Sequence, residues 1–127
     1  MANFITFPVI GTATFGSATA LTIGTSALLD ATTIARVESL SATTTAIHFN
    51  QSPVAGTQKL VLTHTSTPIL VNPLTNVNQF PVKDGIVTAL TGNPTTPTVA
   101  VNVPAYVTGT AAAPVYTNVQ ITAGLWS

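Results

Sequence analysis

Nine prolines and eight glycines cut this 127-residue sequence into short pieces, and that punctuation limits what the chain can build. Proline removes a backbone donor and fixes φ, and interior glycine weakens helices and strands alike, so long regular elements are excluded. Between the breaks lie runs of Val, Ile, Leu, Phe and Thr, residues that suit a pleated, half-buried surface. Strands are expected at 4–7, 20–23, 34–40, 45–50, 59–65, 98–103 and 115–122. About seven short strands is the pattern of an antiparallel β-sandwich or small barrel, so the expectation is a mainly β, single domain over 1–127.

The clearest local unit joins 34–40 to 45–50 through Ser41-Ala-Thr-Thr44, a polar link of hairpin length. Alternation along each strand places Val37, Ile47 and Phe49 toward a core and Arg36, Glu38 and His48 on the opposite face. Ile34 and Leu40 fit this badly, because strict alternation turns both outward. One segment reads as α-helix, at about 82–90. Val82, Ile86 and Leu90 form one apolar stripe, Pro81 suits the first turn, and Gly92-Asn-Pro94 is a stop. Gly85 inside it costs about 1 kcal/mol relative to Ala, so the helix must lean on packing. Asn72-Pro-Leu-Thr-Asn-Val-Asn-Gln79 reads as a polar loop. No repeat of fixed period is visible, which sets solenoids aside.

Charge is the second constraint. Only 5% of residues are Asp, Glu, Lys or Arg, against about 25% in ordinary globular chains. Disorder is not the consequence, because disordered chains combine few apolar groups with high net charge, and this one is 46% hydrophobic and neutral. Threonine fills the gap, at about one residue in five. A neutral surface has little colloidal repulsion, so association with copies of itself is expected. Three scattered basic residues cannot line a phosphate backbone, so no nucleic-acid partner is expected. No run approaches a membrane span, and Met1-Ala-Asn-Phe-Ile-Thr-Phe-Pro8 lacks the features of a signal peptide, so no membrane partner or secretion by that route is expected.

Candidate chemistry is sparse. Arg36, Glu38 and His48 form the one tight polar constellation. An acid–base pair is the functional reading, and a solvated cross-strand charge cluster is the favoured one. His64 reads as a hydrogen-bonded strand histidine. Two histidines and one acid are thin grounds for a metal site, and the absence of cysteine removes thiolate chemistry. No nucleophile elbow, P-loop or dinucleotide fingerprint occurs. The expectation is a non-enzyme, with no catalytic residues, no metal and no cofactor. Irregular Thr-x-Thr stretches raise ice binding as a minor alternative, since β-strand propensity explains the threonine equally well.

The arrangement from 28 to 94 resembles small virion structural proteins of tailed phages, marine-phage-like in character. The resemblance rests on Leu28-Leu-Asp30 leading into 34–40, a Thr run with Ile47-His-Phe49, then Lys59-Leu-Val-Leu-Thr-His-Thr65 and the helix closed by Gly92-Asn-Pro94. It implies a capsid decoration or cement protein in the virion, assembled in host cytoplasm and bound to a major capsid protein or another virion protein. Such proteins carry no catalytic residues.

The first 29 residues and the last 43 contain no charged side chain. These flanks, 1–27 and 95–127, are expected to serve as extended arms or interface, with Trp126, Leu125, Tyr116, Tyr106, Phe4 and Phe15 as contact residues. Trp126 has two readings, an anchor on a neighbour or a plug of its own core, because Trp serves both uses. Two other functions fit the composition: a self-assembling filament, pilus-like or tail-fibre subunit, and a carbohydrate-binding module using Tyr106 and Tyr116.

Overall fold

The computed structural model describes residues 4–8, 13–14, 22–23, 26–52, 55–91 and 98–127. It is mainly β, a small sandwich-like single domain with one α-helix among the described residues. The main sheet is four-stranded, in the order β11-β7-β6-β5, built from β5 (Ile34–Ser41), β6 (Thr44–Phe49), β7 (Lys59–His64) and β11 (Ile121–Trp126), all antiparallel. A three-stranded sheet has β1 (Phe4–Pro8) at its centre. β4 (Ser26–Asp30) pairs with it antiparallel and β8 (Thr98–Ala100) pairs with it parallel, a departure from the all-antiparallel expectation. Two two-stranded units complete the architecture: β2 (Ala13–Thr14) with β3 (Thr22–Ile23), and the hairpin of β9 (Tyr106–Gly109) with β10 (Pro114–Thr117).

One core joins these parts. Ile5, Leu29 and Ala31 meet Ile47, Phe49, Leu60, Leu62, Ile121 and Trp126, together with Val82, Ile86 and Ala89 of the helix α1 (Pro81–Thr91). Burying each large aliphatic side chain contributes about 1.5–3 kcal/mol, so both sheets and the helix depend on one another. The hairpin of β5 and β6 has the expected faces, with Val37 opposite Ile47 and Arg36 opposite His48. The misfit of Ile34 is resolved by a register shift between Ile34 and Arg36. The extra residue brings Ile34 opposite Phe49 and against the core, as a β-bulge does. Leu40 stays outward and exposed.

The helix runs one residue beyond the expected 82–90 at each end, and of its expected stripe Val82 and Ile86 are buried while Leu90 is half-buried against the core. Asp84 reaches back so that its Oδ2 accepts the Phe80 N–H at 3.2 Å, covering a donor the helix leaves open. Gly85 has a reason beyond tolerance. A Cβ there would stand 2.5 Å from the carbonyl oxygen of Asn102, so the backbone after β8 crosses the helix where no side chain fits.

Several expectations are corrected. The single strand at 115–122 is two strands in different sheets, β10 and β11. The 118–120 link lets the chain switch sheets, with the Gln120 carbonyl accepting the Thr65 N–H at 2.9 Å. The flanks are not free arms where they are described: β1 is a central strand whose Ile5 is fully buried, and β11 is an edge strand of the main sheet. The strands β4 and β9 were not anticipated. The expected strand at 98–103 is β8, only Thr98–Ala100. Of the strand expected at 20–23, Thr22–Ile23 is β3 and the rest lies outside the described residues.

Candidate interaction surface

The polar constellation lies on the outer face of the main sheet, as alternation requires. Arg36, His48 and Lys59 stand side by side across β5, β6 and β7, because His48 pairs in register with both of the others. Sequence reading missed Lys59, since only the strand register brings it to this row. These three residues, with Gly56, Gln58 and Ser127, line an open cavity of about 520 Å³. Glu38 lies 4.0 Å from the exposed Arg36 and 3.7 Å from Nε2 of His48, a half-buried ring whose Nε2 is itself covered and makes no hydrogen bond among the described residues. Both separations are longer than the about 2.6–3.2 Å of a direct hydrogen bond between a base and its orienting carboxylate.

His64 faces the opposite way. It is buried on the inner face, where its Nδ1 donates to the Thr65 carbonyl at 2.8 Å. That fixes Nε2 as the acceptor, and the Thr45 hydroxyl donates to it at 3.0 Å. Both ring nitrogens are occupied within the strand pair. His48 and His64 lie on opposite faces of one sheet and cannot share a metal. Among the described residues no group of three or more His, Cys, Asp or Glu side chains could hold one.

The described surface is most unusual in the 65–80 connection between β7 and α1. Ile69, Leu70, Val71, Leu74 and Val77 are all exposed there, with Ile69 at 62% and Val77 at 63%. The segment is ordered by its own hydrogen bonds. Asn72 Oδ1 accepts the Leu74 N–H at 2.8 Å, and the Asn72 carbonyl accepts those of Thr75 and Asn76. Asn76 takes a positive φ of 58°, a conformation asparagine tolerates better than most residues. The ends close where Val71 bridges Asn78 and the Gln79 N–H donates to the Leu70 carbonyl at 3.0 Å. The hydrogen-bonded frame thus carries five apolar side chains on its solvent side.

The hairpin of β9 and β10 is fastened to this loop. Gln79, itself buried, donates from Nε2 to the Val107 carbonyl at 2.7 Å and accepts the Val107 N–H at 2.8 Å. Tyr106 donates its hydroxyl to the Pro68 carbonyl at 2.6 Å. Burial pushes the Tyr106 phenol above its usual range. The hairpin's own display is Val115, 55% exposed, and Tyr116, 61% exposed. Gly109, at φ 84°, permits the tight return to Pro114.

The six residues expected at an interface divide. Tyr116, Leu125 and Phe4 are exposed. Tyr106 and Trp126 are each only 5% exposed and so present no free contact surface. Trp126 packs on Phe49 with ring centroids 5.4 Å apart, which answers its two readings in favour of the plug. Phe15 lies outside the described residues. The loop residues Ile69 to Val77 were missed. An Ile-Leu-Val run next to a strand reads as core, and only the Asn72-Pro-Leu-Thr-Asn76 turn chemistry hinted at an ordered loop. Among the described residues no helix is long and apolar enough to cross a membrane.

Comparison of the chain with protein-family models, with curated proteins and with solved structures gave no match.

Proposed function

We propose that this protein is a non-enzymatic assembly subunit, a virion structural protein of the capsid decoration or cement type. The observation that carries this reading is the ordered, outward-facing apolar loop with Ile69, Leu70, Val71, Leu74 and Val77. Such a loop loses solvent-exposed apolar surface when it docks, at about 25 cal/mol per Å² buried, with little ordering entropy to offset because its frame is already formed. The nearest formal charges in the sequence are Lys59 and Lys83, so nothing within the loop opposes burial. Partners of matching character are copies of the same chain and a lattice of capsid subunits.

The test uses the purified chain and particles that lack it. Sedimentation at rising concentration should show self-association, and the particles should take up the chain. Leu70→Lys with Val77→Lys should abolish uptake by the particles while leaving the unfolding midpoint nearly unchanged. A chain that stays monomeric at high concentration and ignores the particles would remove this reading.

A further inference from the structure

Both edges of the β9–β10 hairpin turn main-chain groups outward, and among the described residues only the β9 edge is occupied. Thr110 and Ala113 exchange backbone hydrogen bonds at the turn, Ala113 N–H to Thr110 at 3.1 Å and Thr110 N–H to Ala113 at 3.4 Å. In an antiparallel ladder, pairs that exchange hydrogen bonds alternate with pairs that do not. Counting from the turn, Val115 and Thr108 bond to each other, whereas Tyr116 and Val107 face each other without bonding. The N–H and C=O of Val107 therefore point out of one edge of the hairpin. Those of Tyr116 point out of the other. On the Val107 edge the Gln79 carboxamide supplies one acceptor and one donor, as a neighbouring strand would. On the Tyr116 edge neither group has a partner among the described residues.

We propose that β10 pairs edge to edge with β10 of a second copy of this chain, antiparallel about a two-fold axis through Tyr116. This rests on the self-association reading above and names one of its contacts. The geometry is self-complementary: Tyr116 opposite its own copy forms a pair that exchanges both N–H···O=C bonds. The two Tyr116 rings then lie on one face, the arrangement in which aromatic cross-strand pairs stabilise a sheet. Val115 comes opposite Thr117 of the copy. Proline stands only at Pro114, so the central donor at Tyr116 is intact. Of the devices that block such edges, charged side chains are absent from 85–127, while the short length of β10 and Pro114, which lacks the outward N–H next to Tyr116, confine the pairing to the Tyr116 exchange. A two-fold contact between identical strands therefore meets no like-charge repulsion. Val115 and Tyr116, at 55% and 61% exposure, would be covered on pairing.

Sedimentation velocity and amide exchange on the full chain test this. The expected result is a dimer in which protection of the Tyr116 amide rises with protein concentration, while that of Val107 stays constant. Tyr116→Pro removes the outward donor without touching the bonds inside the hairpin. Val115→Lys places a like charge on each copy. Each should weaken dimerisation at least tenfold with Val107 protection unchanged, and Val115→Lys serves as the control should proline distort the strand. Leu70→Lys, on the loop, should leave the dimer and the Tyr116 protection intact. A dimer indifferent to both β10 variants overturns the pairing and leaves self-association standing. A chain that never protects the Tyr116 amide overturns the pairing too, and uptake by particles then decides the assembly reading separately.

Discussion

The side chain of Gln79 holds both main-chain groups of Val107, donating to its carbonyl at 2.7 Å and accepting its N–H at 2.8 Å. A buried glutamine thus replaces a β-strand at the edge of a hairpin. Together with the Tyr106 hydroxyl on the Pro68 carbonyl, this residue couples the loop displaying Ile69 and Val77 to the hairpin displaying Tyr116. Gln79→Leu should leave two buried backbone groups unpaired, at about 1–3 kcal/mol each. Urea unfolding should show the loss, and the Val107 amide should lose more exchange protection than amides of β6 or β7. Equal losses throughout would refute the clamp.

Gly85→Ala sets two effects against each other. Helix propensity favours alanine by about 1 kcal/mol. The added Cβ, however, meets the Asn102 carbonyl oxygen at 2.5 Å, and a backbone atom gives way less readily than a side chain. Overpacking of this kind costs about 1–3 kcal/mol, so the variant should melt at a lower temperature. A raised melting temperature would show that the backbone crossing is loose.

Tyr106 links stability to alkaline pH. Its pKa is raised in the folded chain by burial, so its contribution is fully present below the unfolded value and is lost as pH rises through the folded one. Tyr106→Phe should cost about 0.5–1.5 kcal/mol at neutral pH, for the hydrogen bond to Pro68. Above pH 10 the difference from the parent chain should shrink as the parent loses its bond. Urea midpoints measured across that range provide the check.

Asp30 acts at the other extreme. Its carboxylate accepts from the Thr32 hydroxyl at 2.6 Å and the Thr32 N–H at 2.9 Å, and these bonds hold its pKa below 3.8. Its contribution is present above the unfolded pKa and is lost as pH falls through the lower folded one. Asp30→Asn should therefore flatten the acid limb of the stability profile. An unchanged limb would show that the bonds to Thr32 carry no linkage.

Trp126, the sole tryptophan, is a clean optical reporter. Packed on Phe49 and buried, it should emit at short wavelength in the folded chain and shift to the red on unfolding. Trp126→Ala should cost about 3–5 kcal/mol as a core deletion. Emission typical of a solvated indole in the native protein would contradict its place in the core.

The sequence by itself determined what depends on neighbours along the chain. Proline and glycine spacing set the length of the elements, alternation placed Ile47 inside and His48 outside, and the stripe of Val82 and Ile86 located the helix. Each is a local property, because side-chain direction follows from backbone period alone. The tertiary structure decided what depends on distant partners. The bulge that turns Ile34 inward, the pairing of β11 with β7 that buries Trp126, and the crossing of Asn102 over Gly85 join residues far apart in sequence. The same holds for the interaction surface. Nothing local in the sequence marks Ile69 and Leu70 as exposed, and they are so because the Asn72 turn and Gln79 close the loop outside the sheet, where none of the described strands covers it.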